Sequence, residues 1–297
     1  MAIQTDYYHY TPSLDAAIVV AVLFTLAAIG TVLQFLRYKS WVWTTMVLAA
    51  CMESAGYILR CISTQNVHEK NIYVASFSLI VLAPVLMAAA CYIVFGRIVF
   101  HVVPRDSRTT RLLWIPPRFV TPIFVACDIL ALLLQLWGAV QITTVSATAS
   151  DAHTKLTRGK KIAQTGVAIQ LICFGLFSII AVRFNFTSKR FADQFEQRLG
   201  ETKGQKYCTI DGGAKKLKPN WQAILRVTNF ASAMILIRSI YRMVDFSLGK
   251  TGYTSTHEWC IYVFDALVIF PVVALYIYWH PSKYLPYLGF RLPKHAR

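Results

Sequence analysis

Charged residues are scarce in this chain of 297 residues: they make up 15% of it, and acidic residues number only 14. A soluble domain usually carries about 25% charged residues, so this composition is unusual for a water-soluble protein. Hydrophobic residues make up 56% of the chain, which excludes an intrinsically disordered protein. The 14 glycines and 11 prolines are too few for a collagen-like or linker sequence. The composition therefore favours a membrane protein.

Signatures of metal, nucleotide and disulfide chemistry are also missing. The seven cysteines form no Cys-x-x-Cys pair and no His/Cys metal spacing, so we predict no metal site and no cofactor. Without a Walker A sequence, ATP hydrolysis is not expected. Cys61 and Cys260 are predicted near the same membrane face, where they could pair. The first 13 residues contain no Lys or Arg, so no cleavable signal peptide is predicted.

The apolar residues that are present form seven continuous blocks, each close to the ~20 residues that a helix needs to cross a bilayer. The blocks cover residues 14–36, 42–63, 72–101, 119–141, 161–183, 222–244 and 258–279. Continuous blocks of this length are typical of helices, whereas barrel strands are shorter and alternate. We therefore predict an all-α integral membrane protein. Its seven-helix bundle covers residues 14–280, between an N-terminal segment, 1–13, and a tail, 281–297.

Basic residues outnumber acidic ones by 30 to 14, and their distribution predicts the orientation of the bundle. The N-terminus and the even-numbered loops hold 6 Lys and Arg residues, whereas the odd-numbered loops and the C-terminus hold 18. Because basic loops stay in the cytoplasm, we predict the N-terminus outside and the C-terminus in the cytoplasm. The basic loop 184–220 is predicted to be flexible and to contact anionic lipids of the cytoplasmic leaflet. Nucleic-acid binding is not expected, since the basic residues are dispersed over short loops.

Polar and ionisable side chains inside or beside the predicted spans are the candidate functional residues. An ionised group costs at least ~2.5 kcal/mol at the bilayer centre, so it needs a partner, a cavity or a function. Glu53 and Arg60 are seven residues apart in the second span and therefore share one helix face. Similar stripes follow in the fourth, sixth and seventh spans. The full set is Glu53, Arg60, Asp128, Gln135, Arg238, Tyr241, Arg242, Asp245, His257, Glu258, Tyr262 and Asp265.

Two interpretations of these buried charges remain open. With the predicted orientation, the arginines lie in the outer half of the membrane, which indicates a polar cavity that opens toward the outer leaflet and has carboxylates at its floor. The simpler interpretation is a set of ion pairs that hold the helices together, such as Arg60 with Glu53 or Arg242 with Glu258. The concentration of so many polar groups in one half of the bundle favours a substrate path or a proton relay.

Short motifs are distributed along nearly the whole chain. They are Glu53-x-x-Gly56-Tyr57-x-x-Arg60, Ala83-Pro84, Tyr92, Gly96-Arg97-Ile98, Asp128 with Gln135 and Gly138, Gly166 with Gln170, Arg238-Ser239-x-Tyr241-Arg242-x-x-Asp245, Gly249, Gly252, His257-Glu258, Tyr262, Asp265 and His280-Pro281. In this order they resemble the fungal RTA1-like family, also called lipid-translocating exporters. Two positions depart from the family pattern: Asp245, where Glu is more frequent, and Ser282, where Gly is more frequent.

The resemblance implies a multi-pass protein of the fungal plasma membrane that exports or translocates lipids or toxic amphiphiles and so confers resistance. Members of the family are associated with the release of sphingoid bases, with the asymmetry of phospholipids, or with tolerance to sterol-like or xenobiotic compounds. Under this hypothesis the carboxylates of Glu53, Asp128, Glu258 and Asp265 hold a cationic headgroup or relay protons. Arg60, Arg238 and Arg242 then bind a phosphate-bearing group or set the protonation of these carboxylates.

Two other functions are compatible with the sequence. A seven-helix receptor could regulate lipid asymmetry without moving lipid itself. An intramembrane lipid-modifying enzyme could use paired carboxylates with His257 as acid and base. The chain shows no nucleophile or metal constellation, so we expect it not to be an enzyme. Its expected partners are membrane lipids or amphiphilic small molecules.

Overall fold

The fold is a bundle of seven long helices. The computed structural model describes residues 12–66, 68–103, 113–143, 152–191, 207–208, 214–215, 220–248 and 252–285. Within these ranges seven helices are long and apolar enough to cross a membrane, which confirms the predicted fold class and a multi-pass membrane protein. Residues 1–11, most of the basic loop 184–220 and the tail beyond 285 lie outside the described ranges.

The long helices follow the predicted apolar blocks closely. They are α1 (Leu14–Tyr38), α2 (Thr44–Gln65), α3 (Lys70–Val102), α4 (Pro117–Thr143), α5 (Ala152–Thr187), α6 (Trp221–Leu248) and α7, which consists of the consecutive segments Glu258–Ile261, Tyr262–Ala266 and Leu267–Tyr278. Shorter elements are the 3₁₀ turns Trp41–Trp43, Ser188–Phe191 and Pro281–Lys283, the helical turn Tyr253–Thr256, and the antiparallel strands β1 (Tyr207–Cys208) and β2 (Ala214–Lys215).

Local chemistry accounts for several helix ends. The hydroxyl of Ser13 caps α1 by accepting a hydrogen bond from the Ala16 amide at 3.4 Å. The same helix ends at Lys39, which has the left-handed conformation (φ 47°) typical of a helix C-terminus. Pro117 is the first residue of α4, a position where its missing N–H would have no helical partner.

The start of α5 differs from the prediction. The helix begins at Ala152, nine residues before the predicted span at 161, so Lys155, Arg158, Lys160 and Lys161 lie on its first turns rather than in a loop. Hydropathy defines only the apolar part of a helix, whereas Lys and Arg are good helix formers and extend it beyond that part. The four basic residues are therefore presented from a helix.

Helix α3 is central to the packing. It contacts α2, α4, α5 and α6. Of the 18 residues in its most apolar stretch, 61% are buried, whereas the share is at most 50% in the other spans. Aromatic rings fill the space between α3, α4 and α5, where Tyr92 and Phe95 contact Phe177 at ring-centroid distances of 4.6 and 5.4 Å. The principal aromatic packing of the bundle is thus arranged around α3.

The outer surface of the bundle is strongly apolar. Large side chains such as Leu26, Leu133, Ile172 and Leu267 are each at least 57% exposed. In water such a surface would be unfavourable, but it matches the hydrocarbon core of a bilayer. The buried interior, in contrast, contains charged residues, and these are the basis of the candidate site.

Helix α7 is not a regular α-helix. Residues Tyr262–Ala266 form a π-helical turn, and Pro271 follows five residues later within the same helix. A π turn inserts an extra residue into the helical repeat and is frequent at functional sites. Beyond α7 the chain turns at Pro281–Lys283, and Leu285 is still buried against the bundle.

Candidate functional site

A buried group of charged side chains lies between α2, α6 and α7. We call it the charge cluster. Its members are Glu53, Arg60, Arg238, Arg242, Glu258, Tyr262 and Asp265. It lies in the half of the bundle where α1 begins, which we call the amino end. The structure therefore brings together seven of the twelve residues predicted from the sequence.

Asp265 is the centre of the charge cluster. Its two carboxylate oxygens accept hydrogen bonds from Arg238 and Arg242, which lie one turn apart on α6. All three side chains are almost fully buried, and Asp265 is only 1% exposed. The guanidinium of Arg242 also lies 5.1 Å from the ring centroid of Phe77. Asp265 lies within the π turn of α7, and this turn helps to orient the Asp265 carboxylate toward both arginines.

Glu53 is held less completely than Asp265. Its Oε1 lies 3.9 Å from Nη1 of Arg238, and this oxygen has no hydrogen-bond partner among the described residues. The side chain is nevertheless only 1% exposed. A buried carboxyl oxygen without a hydrogen bond is costly, so Glu53 is the member of the cluster best able to accept a proton or a cationic ligand.

A backbone carbonyl completes the surroundings of Arg238. Its Nη2 donates to the carbonyl of Ile80 at 2.5 Å. In a regular helix this carbonyl would accept from residue 84, but Pro84 has no N–H. The proline therefore leaves an acceptor inside α3 that an arginine of α6 uses. The sequence shows Pro84 as part of the Ala83-Pro84 motif, but the use of the Ile80 carbonyl by an arginine of another helix was not predicted from it.

Gly56 allows α2 and α3 to approach each other at this level. A Cβ atom at Gly56 would lie 2.7 Å from the Ile80 side chain and 3.3 Å from the Ile80 amide. The hydroxyl of Ser76 also donates to the Gly56 carbonyl at 2.9 Å. The glycine thus brings Glu53, one turn earlier on α2, close to the carbonyl that Arg238 uses.

A second part of the charge cluster lies nearer the amino end. Nη2 of Arg60 is 3.3 Å from Oε1 of Glu258, and the hydroxyl of Tyr262 donates to the same oxygen at 3.1 Å. The other oxygen of Glu258 accepts from the backbone amide of Ser13 at 2.7 Å, which ties α7 to the start of α1.

The observed pairs differ from those considered on the sequence. Arg60 pairs with Glu258 rather than Glu53, and Arg242 pairs with Asp265 rather than Glu258. The pairs considered on the sequence were chosen because their members lie close together on one helix or at a similar depth in the membrane. Contacts between helices determine the observed ones.

Three further predicted residues make other contacts beside the ion pairs. Tyr241 stacks on Phe264 at 5.5 Å between ring centroids. Asp245 accepts from the Thr254 hydroxyl at 2.7 Å. The exposed His257 stacks on Tyr253 at 3.8 Å. These three residues border the amino end.

Asp128 and Gln135 belong to a different interface. Oδ2 of Asp128 accepts from the Tyr92 hydroxyl at 2.8 Å, between α4 and α3, and Oδ1 has no partner among the described residues. Gln135 donates to Gln170 across α4 and α5 at 2.9 Å. The described contacts of Asp128 and Gln135 are thus with α3 and α5.

The polar cavity predicted above the carboxylates, open toward the outer leaflet, stays a prediction. The cavity that touches Arg60 and Arg242 has a volume of only about 10 Å³. Opposite charges attract one another and draw the helices together, so the polar groups fill their own space. A much larger cavity of about 310 Å³ lies at the other end of the bundle, beside Arg97 and Arg118.

Cys61 and Cys260, for which the sequence left a disulfide open, are both free. Within the described residues, no three His, Cys, Asp or Glu side chains are arranged to hold a metal ion.

Comparison with known proteins adds to this geometry. The family model described as "RTA1 like protein" matches residues 46–287. Protein RTA1 of Saccharomyces cerevisiae is 28% identical over 92% of this chain and 84% of its own length. Protoporphyrin uptake protein 1 of the same yeast is 30% identical over 90% and 89%, respectively. The probable lipid transporter atnI of Emericella nidulans is 24% identical over 94% and 68%. No solved structure matches the chain.

Proposed function

Because the chain belongs to the RTA1-like family, we propose that it moves lipids or amphiphilic small molecules across the membrane. Curated relatives named as a probable lipid transporter and as a protoporphyrin uptake protein support this assignment. The finer proposal is a plasma-membrane exporter that removes toxic amphiphiles and thereby confers resistance.

The observation that carries the proposal is the unequal bonding of the buried carboxyl groups. Asp265 is fully engaged by Arg238 and Arg242, which suits a structural anchor. Glu53 is equally buried, but its Oε1 has no hydrogen-bond partner in the described part of the chain. A buried group without a hydrogen bond costs about 1–3 kcal/mol, so packing alone does not account for this carboxyl oxygen.

In the proposed mechanism Glu53 exchanges its weak contact with Arg238 for a proton or for the amine of a cationic headgroup. Arg238 remains held by Asp265 and by the Ile80 carbonyl, so it need not follow. Arg60, Glu258 and Tyr262 lie between Glu53 and the amino end, and they would have to separate for a headgroup to pass. The chain itself is proposed to have no enzymatic activity.

The test is flux through the purified full chain in liposomes. Labelled sphingoid base, labelled phospholipid and a xenobiotic amphiphile are compared, each with and without a pH gradient. We expect flux of at least one compound above that of empty liposomes. Glu53→Gln should lower that flux about tenfold or more, which corresponds to loss of one interaction of about 1.4 kcal/mol.

The matched control is Glu69→Gln, which makes the same chemical change at an exposed residue between α2 and α3. It should transport like the unmodified chain. Flux no greater than in empty liposomes contradicts the transport proposal. If cells with the chain then still show altered lipid asymmetry, the regulator hypothesis is favoured. A new lipid product in the liposomes would support the enzyme.

A further inference from the structure

The larger of the two cavities described above lies at the end of the bundle opposite the charge cluster and has no role in the mechanism proposed for the cluster. It is bounded by the start of α2, the last turns of α3 and the first turns of α4. Its volume of about 310 Å³ is within the ~300–1,000 Å³ of typical small-molecule sites, whereas the cavity at the charge cluster measures about 10 Å³. We call it the arginine cavity.

Two charged residues belong to the described lining of the arginine cavity, and both are positive. Arg97 comes from α3 and is half-buried, and Arg118 comes from α4 and is exposed; the lining residues that the structure describes include no Asp or Glu. The guanidinium of Arg118 lies 4.5 Å from the ring centroid of Phe119. Guanidinium groups present a planar fork of donors that matches a phosphate or a carboxylate. The electrostatics of this cavity therefore favour an anion.

Hydroxyl groups add further polar contacts. Thr44 and Thr121 already donate to backbone carbonyls, at 2.6 and 3.1 Å. Thr45 also belongs to the lining, and its Oγ1 is buried with no hydrogen-bond partner among the described residues. A buried hydroxyl without a partner is costly, so a ligand that accepts a hydrogen bond from it would be stabilised there.

The rest of the lining is apolar. Trp41, Ile93 and Phe100 contribute hydrocarbon and aromatic surface beside the two arginines. Trp41 is 52% exposed, and exposed tryptophans at helix ends are typical of the membrane interface. A soluble anion would use only the polar half of this surface, whereas an acyl chain would cover the apolar half as well.

We propose that the arginine cavity binds the phosphate or carboxylate headgroup of an anionic amphiphile, whose chain lies along the apolar wall. Arg97 and Arg118 hold the headgroup, and Thr45 donates a hydrogen bond to it. This inference rests on the proposed function. It gives the transporter a second site, which binds an anionic amphiphile either as a substrate or as a resident lipid.

The inference can be tested by binding, without transport. The full chain in an uncharged detergent is titrated with fluorescent short-chain phosphatidic acid, with phosphatidylcholine of the same chain length, and with inorganic phosphate as competitor. Phosphatidic acid should bind about tenfold more tightly than phosphatidylcholine. Arg97→Gln and Arg118→Gln should each weaken it about tenfold or more, since a hydrogen bond to a charged group contributes at least that factor.

Arg226→Gln is the matched control, because Arg226 is an exposed arginine on α6 near the same end of the bundle. It should bind like the unmodified chain. Arg118 is exposed, so its replacement tests the site even if Arg97→Gln fails to fold. Unchanged binding in Arg118→Gln overturns the inference, as does equal binding of phosphatidylcholine. Competition by inorganic phosphate at equal concentration would indicate a free-anion site and would also overturn it.

The two proposals can fail separately. Binding of phosphatidic acid that needs both arginines, together with no flux of any amphiphile in liposomes, contradicts the transporter and supports the cavity. Flux that depends on Glu53, without binding that depends on Arg118, supports the transporter and contradicts the cavity.

Discussion

At the scale of single residues, the charge cluster shows how a membrane interior can hold full charges. Three arginines face three carboxyl groups across α2, α6 and α7, so opposite charges are present in equal number. Each pair replaces lost hydration with a close partner, and removal of one partner leaves the other buried alone. The loss of stability caused by a substitution should therefore depend on how many buried charges it leaves without a partner.

Asp265→Asn should lower the free energy of unfolding by about 3–5 kcal/mol, the cost of breaking a buried pair from one side. It leaves two arginines facing a neutral amide. Glu258→Gln should cost less, because its side chain is 13% exposed and water can reach it. Detergent-titrated unfolding of the purified chain measures both.

Asp15→Asn is the control, since Asp15 is exposed at the start of α1 and its replacement should leave stability unchanged. If Asp265→Asn were as stable as Asp15→Asn, Asp265 would not be the anchor of the cluster. Restored stability in a second-site variant that also replaces Arg242 would support the argument.

At the scale of elements, glycine determines how closely α4 and α5 approach. A Cβ atom at Gly166 would lie 2.7 Å from the Ala131 carbonyl oxygen, and one at Gly138 would lie 2.6 Å from the Ala163 amide. Close approach between small residues is a principal source of helix association in lipid, where the hydrophobic effect between helices is absent.

Gly166→Ala should therefore destabilise the α4–α5 pair, because a backbone carbonyl cannot move aside as a flexible side chain can. We expect a loss of about 1–3 kcal/mol, as for overpacking in a dense core. Gly175→Ala on the same helix is the control, since its Cβ would meet only Leu236 at 3.9 Å. Thermal unfolding of the two variants in one detergent compares them, and equal midpoints would show that α4 and α5 are not held by this contact.

The elements also show what could be predicted from the sequence. The seven helices were predictable because hydropathy is a local property of about 20 residues. The stripes Arg238–Arg242 and Glu258–Tyr262–Asp265 were predictable from helical periodicity. The choice of Asp265 as the shared acceptor was not, because it depends on how α6 and α7 pack. The π turn at Tyr262–Ala266 has no reliable sequence signature.

Cavities were the least predictable feature. The charges indicated a polar cavity in the outer half of the bundle, whereas the cavity described beside Arg60 and Arg242 has a volume of only about 10 Å³. The arginine cavity lies beside Arg97 of α3 and Arg118 of α4, which carry the same sign of charge. Gly96-Arg97-Ile98 was recognised as a motif, but nothing in the sequence indicated that Arg118 and Thr45 belong to the same site.

At the scale of the whole molecule, the bundle separates two kinds of polar site. The balanced charge cluster lies toward the amino end, and the positive arginine cavity lies at the opposite end. The predicted orientation, with the N-terminus outside, would put the arginine cavity at the cytoplasmic leaflet, where anionic lipids are concentrated. The orientation of the bundle in the membrane thus determines which leaflet supplies the lipids that can reach each site.

The bias in basic residues, 18 against 6, predicts this orientation. An epitope tag before residue 1 should be labelled by antibody on intact protoplasts, and one after residue 297 only after permeabilisation. The four basic residues at the start of α5 are the one group that opposes the bias, so replacing Lys155, Arg158, Lys160 and Lys161 by Gln should leave the labelling unchanged. Labelling of the C-terminal tag on intact protoplasts would reverse the assignment. The arginine cavity would then face the outer leaflet, and the anionic amphiphile would have to be supplied from that side.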